Sequence, residues 1–176
     1  MKILLHICCG ICAAGVAQQL VGEGHDVTGF FYNPNIYPEE EYQRRFDVAG
    51  EVAERIGFKL EENPGGRVEW QRMAAGLEGE PEGGKRCAIC FRMRLEKTNT
   101  HFMKGKFDRF TTTLTVSPMK NSDLVNSIGR GIAGDKFLQS NFKKKDGFKK
   151  AMELAREWEL YRQNYCGCEW SLRSDS

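Results

Sequence analysis

The chain has 176 residues, of which 40% are hydrophobic and 28% charged, and its formal net charge is +2. This composition is typical of a folded globular protein and excludes a disordered tail, a fibre and a membrane protein. No apolar run approaches the ~18 residues of a membrane span, and His6 interrupts the first apolar run before a signal-peptide core forms. We therefore expect a cytoplasmic protein without membrane contact, folded as a single domain over residues 1–176.

Apolar periodicity in the first part of the chain predicts strands that alternate with helices. Residues 2–7 are a continuous apolar run typical of a buried strand, and Gly22 or Gly24 ends the helix that follows. The predicted elements are a strand over 2–7, a helix over 12–22, a strand over 26–32, a helix over 39–57, a strand over 58–61 and a helix over 67–77.

The alternation continues after a loop of turn-forming residues over 78–84. The predicted elements here are a helix over 87–104, a strand over 109–115, a helix over 121–132, a strand over 136–139 and a helix over 147–163. Strands joined by helices predict parallel βαβ units, so we expect an α/β fold with an open, mostly parallel sheet and helices on both faces. Ligands bind such sheets beyond the carboxyl ends of the strands, and the first strand leads directly into Cys8 and Cys9.

Charge is distributed unevenly along the chain. Residues 39–82 hold 12 acidic and 6 basic side chains, a net charge of −6, whereas residues 85–150 hold 16 basic and 5 acidic ones, a net charge of +11. The lysines at 143–145, 149 and 150, with Lys85-Arg86, Arg92 and Arg94 upstream, are candidates for a surface that attracts phosphate groups. A solvated helix surface explains the same charges equally well.

The seven cysteines fall into three clusters, at 8, 9 and 12, at 87 and 90, and at 166 and 168. Each cluster lies in a predicted loop or at a helix start, where backbone N–H groups and the helix dipole stabilise thiolates. In a reducing compartment such cysteines indicate metal binding or redox catalysis rather than structural disulfides.

Two of the clusters contain a Cys-x-x-Cys pair, Cys9 with Cys12 and Cys87 with Cys90. Together these pairs offer four sulfur ligands for zinc or for an iron–sulfur cluster. The additional thiol of Cys8 and the location at a strand end favour iron–sulfur, because α/β folds place active sites at strand ends.

The third cluster, Cys166-Gly167-Cys168, indicates a redox-active pair. A disulfide between residues two apart closes a small, strained ring, and strained disulfides are labile and catalytic rather than structural. Gly167 supplies the backbone freedom that such a ring requires.

Five segments of the chain together form a specific pattern. They are Leu4-Leu5-His6-Ile7-Cys8-Cys9, Phe31-Tyr32-Asn33-Pro34-Asn35-Ile36 with Glu41-Tyr42, Arg86-Cys87-Ala88-Ile89-Cys90-Phe91 with Arg94-Leu95, Phe110-Thr111-Thr112-Thr113-Leu114 with Ser117-Pro118, and Tyr165-Cys166-Gly167-Cys168. The pattern covers nearly the whole chain and resembles the cobalamin-independent epoxyqueuosine reductases of bacterial tRNA queuosine biosynthesis. The resemblance implies a Rossmann-like α/β domain that removes the epoxide oxygen from epoxyqueuosine in the wobble position of tRNA.

The resemblance also implies cofactors and site residues. A [4Fe–4S] cluster is expected on Cys8, Cys9, Cys87 and Cys90, and a redox-active disulfide is expected between the cysteines at 166 and 168. The family commonly follows its cysteine pair with Ala-Pro and then Cys or Asp, whereas this chain has Gly10-Ile11 before the cysteine at position 12. Cys12 is accordingly a candidate ligand of a second, mononuclear iron, together with the cysteine at 8 or 9.

Two other functions fit parts of the pattern. A thiol–disulfide oxidoreductase would use Cys9 and Cys12 at a helix start, but would leave the pair at 87 and 90 without a purpose. A zinc-stabilised RNA-binding module would use four cysteines structurally and the lysines for phosphate. The reductase requires tRNA carrying epoxyqueuosine and an electron donor, which the sequence does not identify.

Overall fold

The computed structural model describes residues 1–172, apart from the side chain of Lys145. It contains four strands: β1 (Lys2–His6), β2 (Asp26–Phe31), β3 (Lys59–Glu62) and β4 (Arg109–Thr112). Its six α-helices are α1 (Gly10–Gly22), α2 (Glu39–Ile56), α3 (Arg67–Ala74), α4 (Lys85–Lys104), α5 (Ser122–Ala133) and α6 (Gly147–Glu157).

The four strands form one parallel sheet in the order β3-β2-β1-β4. From β1 the chain moves outward through β2 to β3, and it then returns past β1 to place β4 on the opposite side. The strand order therefore reverses between β1 and β4, and this is where α/β sheets bind ligands. The predicted α/β class with an open parallel sheet is confirmed.

The helices pack in two groups. α1 contacts α2 and α6, whereas α4 contacts α3, α5, β1 and β4. Right-handed crossovers on either side of the reversal place these groups on opposite faces of the sheet. The sheet is consequently covered on both faces, which explains why the middle of β1 is a continuous apolar run with Ile3, Leu4 and Leu5 fully buried.

Three elements end earlier in the structure than the sequence predicts. The strand predicted over 109–115 ends at Thr112, and residues 113–115 form a 3-10 turn in which Oγ1 of Thr112 accepts a hydrogen bond from the backbone N–H of Leu114 at 3.1 Å. The helix predicted over 147–163 ends at Glu157, because Glu159 adopts a left-handed conformation with φ 53°. The helix predicted over 67–77 ends at Ala74.

The strand predicted over 136–139 is wrong. Residues 134–136 form a 3-10 turn, and Phe137 makes an isolated bridge to Phe110 beside β4. The apolar side chains that suggested a strand fill the core instead, where the ring of Phe137 packs edge-on against that of Phe110.

Candidate functional site

Cys8, Cys9 and Cys12 lie together beyond the carboxyl end of β1. Their three Sγ atoms are within 4.8 Å of one another, and all three side chains are buried. Cys9 precedes the first residue of α1 and Cys12 lies in its first turn, so the sulfurs lie at the positive end of the helix. That position stabilises a thiolate, which is the form that binds metal.

Gly10 lets this turn lie close to α2. A Cβ at position 10 would lie 2.4 Å from Cγ1 of Val48 and 2.9 Å from the carbonyl carbon of the same residue. The glycine that replaces the usual alanine of the pattern thus accommodates a close contact between α1 and α2.

The pKa of Cys8 is shifted in the opposite direction to those of the other two thiols. Hydrogen bonds with Cys12 and Cys9 lower the pKa of Cys8 well below its usual range, and the same contacts raise the pKa of Cys12. Thr113, directly after β4, reinforces this arrangement: its hydroxyl donates to Sγ of Cys8 at 3.2 Å, and its Oγ1 accepts from the backbone N–H of Cys8 at 3.0 Å.

Cys87 and Cys90 lie in the first turns of α4. Burial raises the pKa of Cys90 to about 12, and Sγ of Cys87 accepts a hydrogen bond from the backbone N–H of Gly83 at 3.2 Å. The pair is not part of the three-sulfur group at residues 8–12, but it lines a cavity that adjoins that group.

Cys166 and Cys168 lie after α6, in the segment that leads to a short 3-10 turn over 169–171. Cys168 is buried, and burial raises the pKa of its thiol. Both cysteines are free thiols in the structure, as are the other five.

All seven cysteines line two adjoining cavities, of about 200 Å³ and about 30 Å³. The larger cavity is lined by the cysteines at 8, 9 and 12, the smaller by those at 87, 90 and 168, and Cys166 lines both. Arg94 and Lys120 also line both cavities. The structure thus brings the three sequence clusters to one place.

The two shared cations oppose the negative charge of the thiolates. Burial alone would lower the pKa of Arg94 and of Lys120, but the neighbouring thiolates outweigh burial and raise both. Nε of Arg94 donates to the carbonyl of Cys90 and Nη1 donates to Oδ1 of Asn33, each at 3.3 Å. Nη2 is buried without a hydrogen-bond partner among residues 1–172. The cavities therefore suit a sulfur-rich group of net negative charge.

His6 is a neutral core residue beside this site. Its ring nitrogens lie 2.9 Å from Oγ1 of Thr112 and 3.2 Å from the carbonyl oxygen of Tyr32. Burial is the main reason that the pKa of His6 falls to about 4. With both nitrogens in the core, His6 is a structural residue, in agreement with its place at the end of a buried strand.

The sequence places Arg94 on the predicted phosphate-attracting surface and does not single out Lys120. The structure corrects that placement, because Arg94 and Arg86 are both only 3% exposed. A signal existed for Arg94, which follows Cys90 by four positions and thus shares its face of α4. Lys120 lies in a turn before α5, where no periodic pattern predicts which way a side chain points.

Two lysines of the predicted basic surface lie on α6, a helix that also lines the larger cavity. Phe148 and Met152 of α6 line that cavity, while Lys149 and Lys150 on the same helix are exposed. Nζ of Lys143 instead bonds to the carbonyl of Lys120, and the side chain of Lys145 lies outside the described part of the structure. Within residues 1–172, no helix is long and apolar enough to cross a membrane.

Solved structures support the fold. The U34-tRNA thiolase NcsA from Methanococcus maripaludis, with its [4Fe-4S] cluster, superposes with a TM-score of 0.58 at 16% identity, covering 100% of this chain and 60% of that chain. A predicted subunit of a tRNA methyltransferase from Methanocaldococcus jannaschii superposes with a TM-score of 0.60 at 16% identity, covering 89% of this chain and 75% of that one. At this identity the likeness establishes the Rossmann-like α/β fold.

Sequence comparison identifies the family. The family model described as epoxyqueuosine reductase QueH matches residues 3–174. The epoxyqueuosine reductase QueH of Streptococcus pyogenes is 37% identical over 98% of this chain and 71% of its own length, and that of Haemophilus influenzae is 35% identical over 99% and 73%. The epoxyqueuosine reductase QueH of Thermotoga maritima is 34% identical over 97% of this chain and 90% of its own length. The chain therefore belongs to the epoxyqueuosine reductase QueH family, which confirms the predicted family and the predicted class of enzyme, an oxidoreductase.

Proposed function

We propose that the chain is a single iron–sulfur domain, over residues 1–176, that reduces epoxyqueuosine to queuosine in the wobble position of tRNA. The observation that carries this proposal is the convergence of all seven cysteines on two cavities that share Arg94 and Lys120. Family membership supports the substrate, since the relatives are named for it. A tRNA substrate also accords with the cytoplasmic location that we expect.

The donor set fits a [4Fe–4S] cluster. Such clusters are held by cysteine thiolates, and a cluster with four thiolate ligands is anionic, which the two buried cations at the shared wall favour. We assign the cluster to Cys8, Cys9, Cys87 and Cys90. Cys12, whose sulfur lies within 4.8 Å of those of the first pair, would hold a second, mononuclear iron with the cysteine at 8 or 9.

When bound, the cluster supplies electrons one at a time, and a neighbouring iron supplies a Lewis acid for the epoxide oxygen. The overall reaction takes up two electrons and two protons, breaks both C–O bonds of the epoxide, and leaves an alkene and water. Arg94 and Lys120 contribute fixed positive charge at the cavity wall. The unpartnered Nη2 of Arg94 is a hydrogen-bond donor for negative charge that develops inside the cavity.

Cys166 and Cys168 are proposed as the redox-active pair. Oxidation of this dithiol to a disulfide releases two electrons and two protons, which is what one epoxide reduction consumes. Cys166 lines both cavities, which places this residue beside the other cysteines. An external electron donor must then reduce the disulfide before the next turnover.

The basic segment from Lys143 to Lys150 is proposed to bind the tRNA backbone. Lys144, Lys149 and Lys150 are exposed on or beside α6, whose other face lines the larger cavity. Phosphate groups bound there would hold the anticodon loop with its modified base at the cavity mouth.

The direct test is to incubate anaerobically purified protein with a reductant and tRNA carrying epoxyqueuosine, and to quantify both nucleosides by mass spectrometry after digestion. We expect conversion to queuosine over many turnovers. A protein with both Cys166→Ser and Cys168→Ser should keep its iron but lose multiple turnover. Full turnover in that variant would rule out the redox role of the pair, and no conversion by the iron-loaded wild type would rule out the proposed function.

A further inference from the structure

Glu41 and Arg45 form a buried ion pair on α2. Nε of Arg45 lies 2.6 Å from Oε1 of Glu41, and the two side chains are 3% and 8% exposed for Arg45 and Glu41, respectively. Ion pairs one helical turn apart are normally found on exposed helix faces, and burying one costs desolvation free energy that an apolar pair does not cost. The burial of this pair therefore calls for a reason outside α2.

The pair's other hydrogen bonds go to the segment that carries the last two cysteines. Nη1 of Arg45 donates to the carbonyl oxygen of Cys166 at 2.9 Å, and Nη2 donates to that of Tyr165 at 3.1 Å. Oε2 of Glu41 accepts from the hydroxyl of Tyr161 at 2.8 Å. Because two of the acceptors are main-chain carbonyls, the charged guanidinium fixes the backbone itself.

The loop before α2 holds the same segment from another side. The backbone N–H of Tyr37 donates to the carbonyl of Gly167 at 2.8 Å, and Ile36 forms a β-bridge with Cys168. Gly167 has a φ of +116°, which L residues rarely adopt, and a Cβ there would lie 2.9 Å from Nη1 of Arg45. The carbonyls of the three consecutive residues 165–167 are thus all bonded to residues between 37 and 45.

We propose that the Glu41–Arg45 pair is a positioning element that holds the backbone of Cys166 and Cys168 in one conformation at the cavity walls. The inference rests on the redox role proposed for these two thiols. A held backbone raises the effective concentration of one thiol at the other, so it favours the disulfide over the dithiol. In exchange with oxidised glutathione, the Sγ–Sγ bond forms, and the glutathione disulfide is reduced to two glutathione thiols.

The test measures the equilibrium constant of that exchange in the full-length chain. The protein is equilibrated in glutathione buffers, its free thiols are blocked with N-ethylmaleimide, and it is digested with trypsin. The tryptic peptide over 163–173, QNYCGCEWSLR, contains Cys166 and Cys168 and no other cysteine. Its oxidised fraction, measured by mass spectrometry, reports this pair alone.

Substitution of the arginine should weaken the disulfide. In Arg45→Met we expect the equilibrium constant to fall about tenfold, which corresponds to about 30 mV for a two-electron couple. Arg45→Lys keeps the charge but lacks the planar fork, so we expect a smaller fall of about threefold. Arg55→Met is the matched control: it removes an ion pair of the same spacing on α2, with Nη2 of Arg55 2.8 Å from Oε1 of Glu51, but both side chains are exposed. Arg55→Met should keep the wild-type equilibrium constant for the exchange.

The proposal is overturned if Arg45→Met has the same equilibrium constant for the exchange as the wild type. It is also overturned if that equilibrium constant falls equally in Arg55→Met. If Arg45→Met does not fold, Arg45→Lys and Glu41→Gln decide by the same measurement. If the wild type forms no disulfide at any glutathione ratio, the redox role fails instead.

The positioning role of the Glu41–Arg45 pair is then tested by the rate at which N-ethylmaleimide labels the same peptide. Labelling should be about tenfold faster in the Arg45 variants, because the backbone of residues 165–168 is no longer held. Equal labelling rates overturn the positioning role.

Discussion

At the scale of single residues, the site depends on polar groups that anchor the sulfur atoms. Thr113 is the clearest case, since its hydroxyl bonds both the backbone N–H and the Sγ of Cys8. It joins the ends of β1 and β4 at the point where the strand order reverses. Propensity alone explains this threonine as a strand residue, so the sequence did not reveal that it contacts a cysteine.

Thr113→Val should destabilise the protein. The change keeps the shape of the side chain but leaves the buried N–H of Cys8 without its partner, which costs about 1–3 kcal/mol of unfolding free energy. Urea denaturation of metal-free protein measures this loss. Thr100→Val on the exposed face of α4 is the control, and an equal loss there would contradict the account.

His6 makes stability depend on pH. Its pKa is about 4 in the folded protein, against 6.5 in the unfolded chain, so the unfolded state binds more protons between these values. The stability that neutral His6 provides is fully present above pH 6.5 and is lost as pH falls toward 4. The loss amounts to about 3 kcal/mol at most.

The measurement is the free energy of unfolding between pH 4 and 7, for the wild type and for His6→Gln. The variant should show a flatter dependence on pH, because it lacks the group that titrates. A slope unchanged by His6→Gln would show that other groups control this range.

At the scale of elements, periodicity located the sheet but not the irregular segments. The strands at 2–6 and 26–31 and the helices at 39–56 and 85–104 lie within one or two residues of their predictions, because each buries a regular apolar face. The last helix was predicted six residues too long, since a left-handed residue such as Glu159 has no signature in an apolar pattern. Alternation placed the first cysteines at a strand end, but it gave no means of locating Cys87, Cys90 and the tail beside them.

The contact between α1 and α2 supplies a test of Gly10. In Gly10→Ala the new methyl group would overlap Val48, including its backbone, so we expect a loss of about 1–3 kcal/mol in unfolding free energy. In Gly22→Ala, at the end of the same helix, a Cβ meets nothing within 4 Å, so we expect a gain of up to about 1 kcal/mol. Thermal or urea unfolding of the two variants distinguishes them, and equal effects would contradict the close approach.

At the scale of the whole molecule, lysines lie both beside the larger cavity and at the opposite end of the fold. Lys149 and Lys150 lie on α6 beside the larger cavity, whereas Lys104 lies at the far end of α4. The cavity end lies beyond the carboxyl ends of the strands, where the cysteines converge.

Reversing charge on α6 should weaken tRNA binding. For Lys149→Glu with Lys150→Glu, we expect the slope of log affinity against log salt to decrease by about 2, as it does when two phosphate contacts are lost. Iron content should stay at the wild-type level. Lys104→Glu with Lys106→Glu is the control of equal charge. A variant on α6 that binds tRNA normally but loses iron would show that these lysines serve the fold.

The central claim is that the converged cysteines hold an iron–sulfur cluster. The measurement that tests it most directly is the visible absorption spectrum, with iron and acid-labile sulfide analysis, of protein purified without oxygen. We predict a brown protein with about four iron and four sulfide per chain, as one [4Fe–4S] cluster requires, and additional iron if Cys12 binds the second metal. A colourless protein that contains zinc, or that takes up no metal on anaerobic reconstitution, would contradict the account.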